Sequence, residues 1–359
     1  MPPKKATISD IAKRAGVSPA TVSRVMSNSD YPVRESLRAK VLDAAAQLNY
    51  KPNRFSQLLK GGASREVAVL VPSITNPFYA QLIGAVEWEC LRRGYTLIIC
   101  SSQNSPELEL RHLETMERRQ VDGVLLSSIH LSDAFLNQLS RSVRAFVLLD
   151  QVPPAYGADC VSFDFFKAGQ LAAQYLLDCG HRDLAFISGP LDRYSRRLYL
   201  DGYRKALREA GLHPSNRRIL LYNGTSGTSA SPGAGPTGQN SYSCGWELGR
   251  MLLRGDYLPD AVVAVNDMMA IGAIKLLEQQ GVRVPNDLSV IGFDDISVSA
   301  LVSPALTTIA QPAAKTGQLA ACILLDRLEG KEVSKGQIML QPALIERESV
   351  RRLHKKLRR

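Results

Sequence analysis

Residues 7–26 read TISDIAKRAGVSPATVSRVM, and their punctuation decides how the first part of the chain folds. Thr7 and Asp10 stand three apart, the spacing at which each side chain accepts a free backbone N–H at a helix start. Ile8, Ile11, Ala12 and Ala15 follow at helical spacing. Gly16 can take the positive φ that ends a helix. Ser18 supplies an N-cap oxygen, and Pro19 takes the first position of a second helix, where no N–H is needed. That helix is predicted over Pro19–Met26, with Val17, Val22 and Val25 inward and Pro19, Ala20, Thr21 and Arg24 outward. Two short helices joined by a glycine turn form a helix-turn-helix, whose second helix enters the DNA major groove. Taken alone, the pattern also suits a pair of small core helices.

The next forty residues favour the DNA reading. Val33–Asn49 predicts a third helix, with Leu37, Val41, Ala44 and Leu48 on one face to close a three-helix core. Arg34 is a poor cap for it. After the break at 49–53 comes Arg54–Lys60, stopped by Gly61-Gly62. A helix of under two turns does not hold together in water and needs something to fold against. Through DIAKRAGVSPATVSRV, LNYKPNR and Leu59, residues 5–60 resemble the headpiece and hinge of the lactose-repressor family of bacterial transcription regulators. The resemblance implies a hinge helix that forms on operator binding, with Leu59 wedged into the minor groove, as an apolar side chain that kinks DNA would be. It also implies that Pro19, Ala20 and Arg24 read bases. Arg24 can donate twice to a guanine edge, and Ala20 can touch a thymine methyl. Thr7, Ser18, Thr21 and Ser23 become phosphate or register contacts, and Asn53 and Ser56 join the DNA-binding set. Ser27 stands where the family often has asparagine.

The chain has 359 residues, 45% of them hydrophobic, enough for a large core and two or three domains. Its net charge of +10 is unevenly spread. Residues 1–65 carry twelve Lys or Arg against four Asp or Glu, and residues 351–359 add six basic groups, leaving the body between them net negative. A basic end on a mildly acidic body is the footprint of a DNA-binding module attached to something else. Six scattered cysteines without a CxxC pair suit a reducing cytoplasm. No apolar signal region and no membrane-length apolar run are present, so a cytoplasmic protein without membrane contact is expected.

From Glu66 the pattern changes to short apolar runs alternating with helical stretches. The runs are Val67–Val71, Thr96–Cys100, Gly123–Ser127, Phe146–Leu149, Val161–Phe163, Leu184–Ser188, Ile219–Tyr222, Ala261–Val265 and Ser289–Phe293. The helical stretches include Tyr79–Arg93, Leu108–Arg119, Gln170–Cys179, Arg196–Ala210, Met268–Gln280 and Lys315–Leu328. This alternation means βαβ units and parallel sheets, and about nine strands over this length suggest two doubly wound lobes. Ligands of such sheets sit beyond the carboxyl ends of the strands. Asn76, Phe78, Tyr79, Asp150, Arg197, Asn266, Asp294 and Gln311 all follow strand ends. Carboxylate, amide and guanidinium partners for hydroxyls, with aromatic faces for ring C–H groups, are what a sugar requires. Each taken singly also reads as a turn or N-cap residue, and Asp267 and Asp295 keep that reading.

Residues 65–350 are similar to the family's effector-binding core, which resembles periplasmic sugar-binding proteins. By motif position, those eight residues correspond to sugar contacts of its pentose- and ribose-binding members, and TNPFY, GPLD, LDGYRKAL and GFDDI look ribose-type. The resemblance implies an α/β fold: a three-helix headpiece at 1–52, a hinge helix and linker at 53–64, and a two-lobed core with a basic tail at 351–359. The first lobe would take about 65–163 and 312–340, the second about 164–311 and 342–350, with crossings near Phe163, Gln311 and Gln341.

One stretch departs from the family. Asn223–Ser243 is Gly/Ser/Thr/Pro-rich where members have a short loop, a composition that does not pack. Its formal GxGxxG has no adjacent strand and is interrupted by Pro236, so no nucleotide site is expected. A core role is expected for Trp246. The tail lacks a sustained leucine heptad, so a homodimer is expected. No metal-ligand cluster, Gly-x-Ser-x-Gly elbow or P-loop is present, so neither metal, cofactor nor catalysis is expected, and His181 after a helix end reads as a cap. The expected function is a repressor of a carbohydrate-utilisation operon, released from pseudo-palindromic double-stranded operator DNA by a small sugar such as ribose. The alternatives are a regulator tightened by a purine, nucleoside or phosphorylated carrier protein, a sugar-binding transport protein, and a sugar-acting enzyme.

Overall fold

The computed structural model describes residues 6–26, 31–50, 63–128, 132–150, 158–213, 215–222, 240–255, 257–332 and 336–353. The chain divides into two compact units, Met1–Ser64 and Arg65–Arg359. The expected hinge, with Asn53, Ser56 and Leu59, lies outside the described residues, as do Ser27, most of the low-complexity stretch and the last six residues.

The first unit holds α1 (Ile8–Ala15), α2 (Pro19–Met26) and α3 (Glu35–Gln47). Both halves of the Thr7–Asp10 box form: Thr7 N donates to Asp10 Oδ2 at 2.8 Å, and Asp10 N to Thr7 Oγ1 at 3.3 Å. Gly16 ends α1 with φ +66°, a conformation that costs a residue with a Cβ. Ser18 Oγ accepts from Thr21 N at 3.1 Å. Arg34 gives α3 no side-chain cap. Ile11, Val22, Val25, Val41, Ala44 and Ala45 form a buried core, small enough that its caps matter.

The second unit is built on two six-stranded sheets. Strand order in the first is β11-β5-β4-β3-β1-β2, all parallel, from β1 (Glu66–Val71), β2 (Thr96–Ser101), β3 (Gly123–Leu126), β4 (Ala145–Asp150), β5 (Cys160–Phe163) and β11 (Gln337–Leu340). The second runs β12-β10-β9-β8-β6-β7, from β6 (Leu184–Ser188), β7 (Ile219–Leu221), β8 (Ala261–Ala264), β9 (Ser289–Asp294), β10 (Thr307–Ala310) and β12 (Ala343–Ile345). Among the described strands only β12 departs from the expected parallel pattern, pairing antiparallel with β10. Central strands such as β1, β3, β8 and β9 are buried on both faces, which explains their continuous Val/Ile/Leu character.

Helices α4 (Pro77–Arg92), α5 (Pro106–Arg119), α6 (Asp133–Ser142) and α11 (Ala313–Leu328) serve the first sheet. Helices α7 (Phe165–Asp178), α8 (Tyr194–Glu209), α9 (Ser241–Leu253) and α10 (Asp267–Gln279) pack as two pairs, α7 with α8 and α9 with α10, in the second lobe. Both pairs meet backbone to backbone. A Cβ on Gly169 would stand 2.1 Å from the Tyr199 carbonyl, and one on Gly202 2.0 Å from that of Phe166. Gly245 and Gly272 face Met269 and Tyr242 in the same reciprocal way, at 2.0 and 2.1 Å. The chain passes between sheets through three short connections, at 164, 311–312 and 341–342.

Candidate functional site

The headpiece presents one candidate surface. Burial of Val22 and Val25 turns the opposite face of α2 outward, leaving Pro19, Ala20 and Arg24 exposed, as are Thr7 and Ser18, with Thr21 and Ser23 half-buried. The Ser18 and Thr21 hydroxyls lie 2.9 Å apart, so both sit at the helix start, where backbone N–H groups favour a phosphate. Arg24 Cζ lies 4.1 Å from the centroid of the Tyr31 ring.

In the second unit the strand ends of both sheets converge on a cavity of about 350 Å³. Asn76, Phe78, Tyr79, Asn266, Asp294 and Gln311 line it together, although they come from separate segments of the chain. Asn76 and Asn266 are also N-caps: Asn76 Oδ1 accepts from Phe78 N at 3.0 Å, and Asn266 Oδ1 from Met269 N at 2.8 Å. Capping therefore holds each amide at the cavity wall, and the local and functional readings of these residues coincide. Asp150 ends β4, paired with Ser162 of β5, and its side chain lies outside the described part.

Arg197 is a correction. Its guanidinium is exposed and donates to the carbonyls of Leu191 and Asp192 at 2.9 and 2.7 Å, away from the cavity lining. Arg196 takes the place expected for it. One helical residue is a turn of roughly 100°. Arg196 falls three and four residues before the buried Tyr199 and Leu200, whereas Arg197 lines up with the exposed Asp201. Arg196 donates to the Pro190 carbonyl at 2.8 Å and lies 3.7 Å from Asp192, its side chain 17% exposed. Burial, and next the positive charge of Arg193, pull its pKa down to about 10, so it remains charged at neutral pH in a partly desolvated setting.

Gly189, Pro190 and Asp192 of the GPLD motif also line the cavity, and Arg193, Tyr199, Tyr222 and Asn240 join them. Tyr199 packs on Phe293 with the rings tilted by 36° and centroids 4.1 Å apart, and meets Phe165 edge-on at 5.2 Å. Arg193 donates to Asn104 Oδ1 across the cleft, from the second lobe to the first. Tyr222 and Asn240 flank the low-complexity stretch. That stretch ends sooner than its composition suggests: α9 starts at Ser241, with Asn240 Oδ1 accepting from Ser243 N at 2.8 Å. Trp246 is buried, as expected of a core residue.

Asp267 and Asp295 are not caps. Asp267 is fully buried and accepts from Thr308 Oγ1 (2.6 Å), Ser299 Oγ (2.7 Å) and Ile296 N (3.1 Å). Burial pushes its pKa up to about 7 despite these bonds. Asp295 pairs with Arg347 at 2.5 Å. Between them these anchors hold Asp294 at φ +108° and Asp295 at φ +53°, backbone settings that cost about 1–3 kcal/mol each and gather at functional sites. His181 does close the end of α7: its backbone N–H donates to the Leu176 carbonyl at 3.1 Å, one residue after Gly180 at φ +96°. His181 itself is fully buried, its Nε2 3.0 Å from the Arg351 carbonyl, and burial lowers its pKa. Among the described residues no cluster of His, Cys, Asp or Glu could hold a metal ion, and no helix is long and apolar enough to cross a membrane.

Two family models match the sequence: bacterial regulatory proteins of the lacI family over residues 7–53, and a periplasmic binding protein-like domain over residues 173–350. The ribose operon repressor of Escherichia coli (strain K12) is 36% identical over 347 residues, covering 96% of this chain and 99% of its own. The transcriptional repressor PurR of Haemophilus influenzae (strain PittEE) is also 36% identical, over 350 residues, with 96% and 99% covered. Among solved structures, a lac repressor dimer bound to operator and the anti-inducer ONPF superposes with TM-score 0.80 at 27% identity, covering 97% of this chain and all of that one.

Proposed function

Because the chain belongs to the lacI family of bacterial regulatory proteins, we propose that it represses a carbohydrate-utilisation operon and is released from its operator by ribose or a close polyol. It is a DNA-binding, ligand-responsive transcription repressor. Residues 1–52 act as the DNA module, 53–64 as the hinge and 65–350 as the sensor. The convergence of Asn76, Tyr79, Arg196, Asn266, Asp294 and Gln311 on one cavity, between sheets joined by three short connections, carries the effector reading. A polyol gripped from both walls favours one lobe arrangement, and that preference is passed to the hinge. Such couplings are about 1–3 kcal/mol and reciprocal, so operator DNA weakens effector binding by the same factor.

Two copies match two half-sites of a pseudo-palindrome. Trp88 and Leu91 on α4, Ile99 on the edge strand β2 and Leu110 on α5 are exposed apolar side chains on neighbouring elements and supply a surface for the second copy. The protein works in the cytoplasm, where its operator is.

Selection of a duplex from a random pool, followed by gel shift with and without pentoses, hexoses and nucleosides, tests the reading. Ribose is expected to weaken the complex, Leu59→Ala to abolish the preference for the selected duplex, and affinity to fall steeply with salt. A second reading is a purine that tightens DNA binding. In the same gel shift it gives a complex strengthened by purine and indifferent to sugar.

A further inference from the structure

The recognition surface contains an aromatic ring that packing does not explain. Tyr31 is 59% exposed and is not among the side chains packed on the headpiece core, where Val33, Leu48 and Tyr50 are. It stands five residues beyond the end of α2, and its ring carries the guanidinium of Arg24, with Cζ 4.1 Å from the centroid. A cation over an aromatic face is attracted by the ring quadrupole, and contacts at this distance are effective. The donors of a guanidinium lie in its plane, whereas stacking uses its faces, so stacking and bidentate donation to a base are satisfied together. A long exposed arginine otherwise loses rotamer freedom on meeting the base.

We propose that Tyr31 is a positioning residue for base recognition: it holds the Arg24 guanidinium on its face and thereby sets how well the headpiece discriminates a guanine. The proposal rests on the DNA-binding role of the headpiece. It places a specificity determinant outside the recognition helix, in a loop residue that itself need not touch a base.

The test uses the full chain and a duplex selected by the wild type from a random pool. Ordering one rotamer-rich side chain before it meets the base corresponds to about two- to tenfold in affinity per half-site, so Tyr31→Leu and Tyr31→Gln should each weaken a two-site duplex by roughly 5- to 100-fold. Tyr31→Phe keeps the face and should stay within about twofold of wild type. Discrimination against duplexes with each G·C pair exchanged for A·T should narrow at one symmetric position only, with an unchanged salt slope, because phosphate contacts are untouched. In an Arg24→Ala background, Tyr31→Leu should cost nothing further. Undiminished discrimination in Tyr31→Leu and Tyr31→Gln overturns the proposal. So does a loss that persists without Arg24, which would mean that Tyr31 meets the DNA directly. Failure of the wild type to select any sequence would instead remove the DNA reading itself.

Discussion

Replacing Arg196 by leucine tests the sensor at the point where motif and geometry disagree by one residue. The Arg196 side chain is largely buried and sits at a 2.8 Å bond to the Pro190 carbonyl, with the mostly exposed Asp192 carboxylate 3.7 Å away. Burial has already drawn its pKa down to about 10, so much of its hydration is gone before any ligand arrives. A hydrogen bond from such a group to an effector hydroxyl contributes about 1.5–3 kcal/mol. One lost bond therefore weakens effector binding by about ten- to a hundredfold. Arg196→Leu also removes a desolvated charge, so the melting temperature should hold or rise. Arg197→Leu removes an exposed side chain bonded to its own loop and should shift affinity by less than about twofold. Calorimetric titration of both variants with the sugar identified by thermal-shift screening measures the difference. A wild-type Kd in Arg196→Leu, with a large loss in Arg197→Leu, would refute the assignment and return the role to the motif position.

Three further outcomes are expected. Gly292→Ala would put a Cβ 2.2 Å from Asp267 Oδ1, swinging that carboxyl off its partners; overpacking alone should cost about 1–3 kcal/mol in denaturant unfolding, and effector binding should weaken through Asp294. Unchanged stability would show the carboxyl free to move. Burial lowers the folded pKa of His181 below its ordinary 6.5, so the unfolded chain takes up the proton first as pH falls. Its contribution to stability is complete above that value and lost below it, so wild type should lose more stability than His181→Gln between about pH 7.5 and 5.5; parallel losses would contradict this. Trp88→Asp with Leu91→Asp should turn a sedimenting dimer into monomer and weaken the operator complex, and a dimer that persists would move the self-association surface elsewhere.

The headpiece is legible in the sequence because its signals are local. Thr7, Asp10, Gly16, Ser18 and Pro19 each fix a backbone bond or dihedral within four residues of themselves. The strand-end residues Asn76, Asn266, Asp294 and Gln311 are legible for a topological reason, since parallel sheets gather the same ends of their strands. Arg196 escapes a motif match that ignores angle, yet the spacing of Tyr199, Leu200, Tyr203, Ala206 and Leu207 already points the inner face at it. α9 is hidden because its first turn, Ser241-Tyr242-Ser243, shares the composition of the stretch before it. Asp267 reads wrongly as a cap because its partners lie 29 to 41 residues away, a separation no local rule reaches. Asn104 and Tyr222 follow strands without any distinctive neighbours, and only tertiary structure brings them to the cavity.

The reciprocal glycines of the second lobe limit how such a sensor can change. Phe165 and Tyr199 ride on one seized helix pair, Asn240 and Asn266 on the other. Neither pair can slide, because carbonyl oxygens occupy the space a sliding side chain would need. Half of the mould around the effector is thus cast as a single piece. New specificities can be written by exchanging the side chains on its surface, while the three short straps that join the lobes are left unaltered.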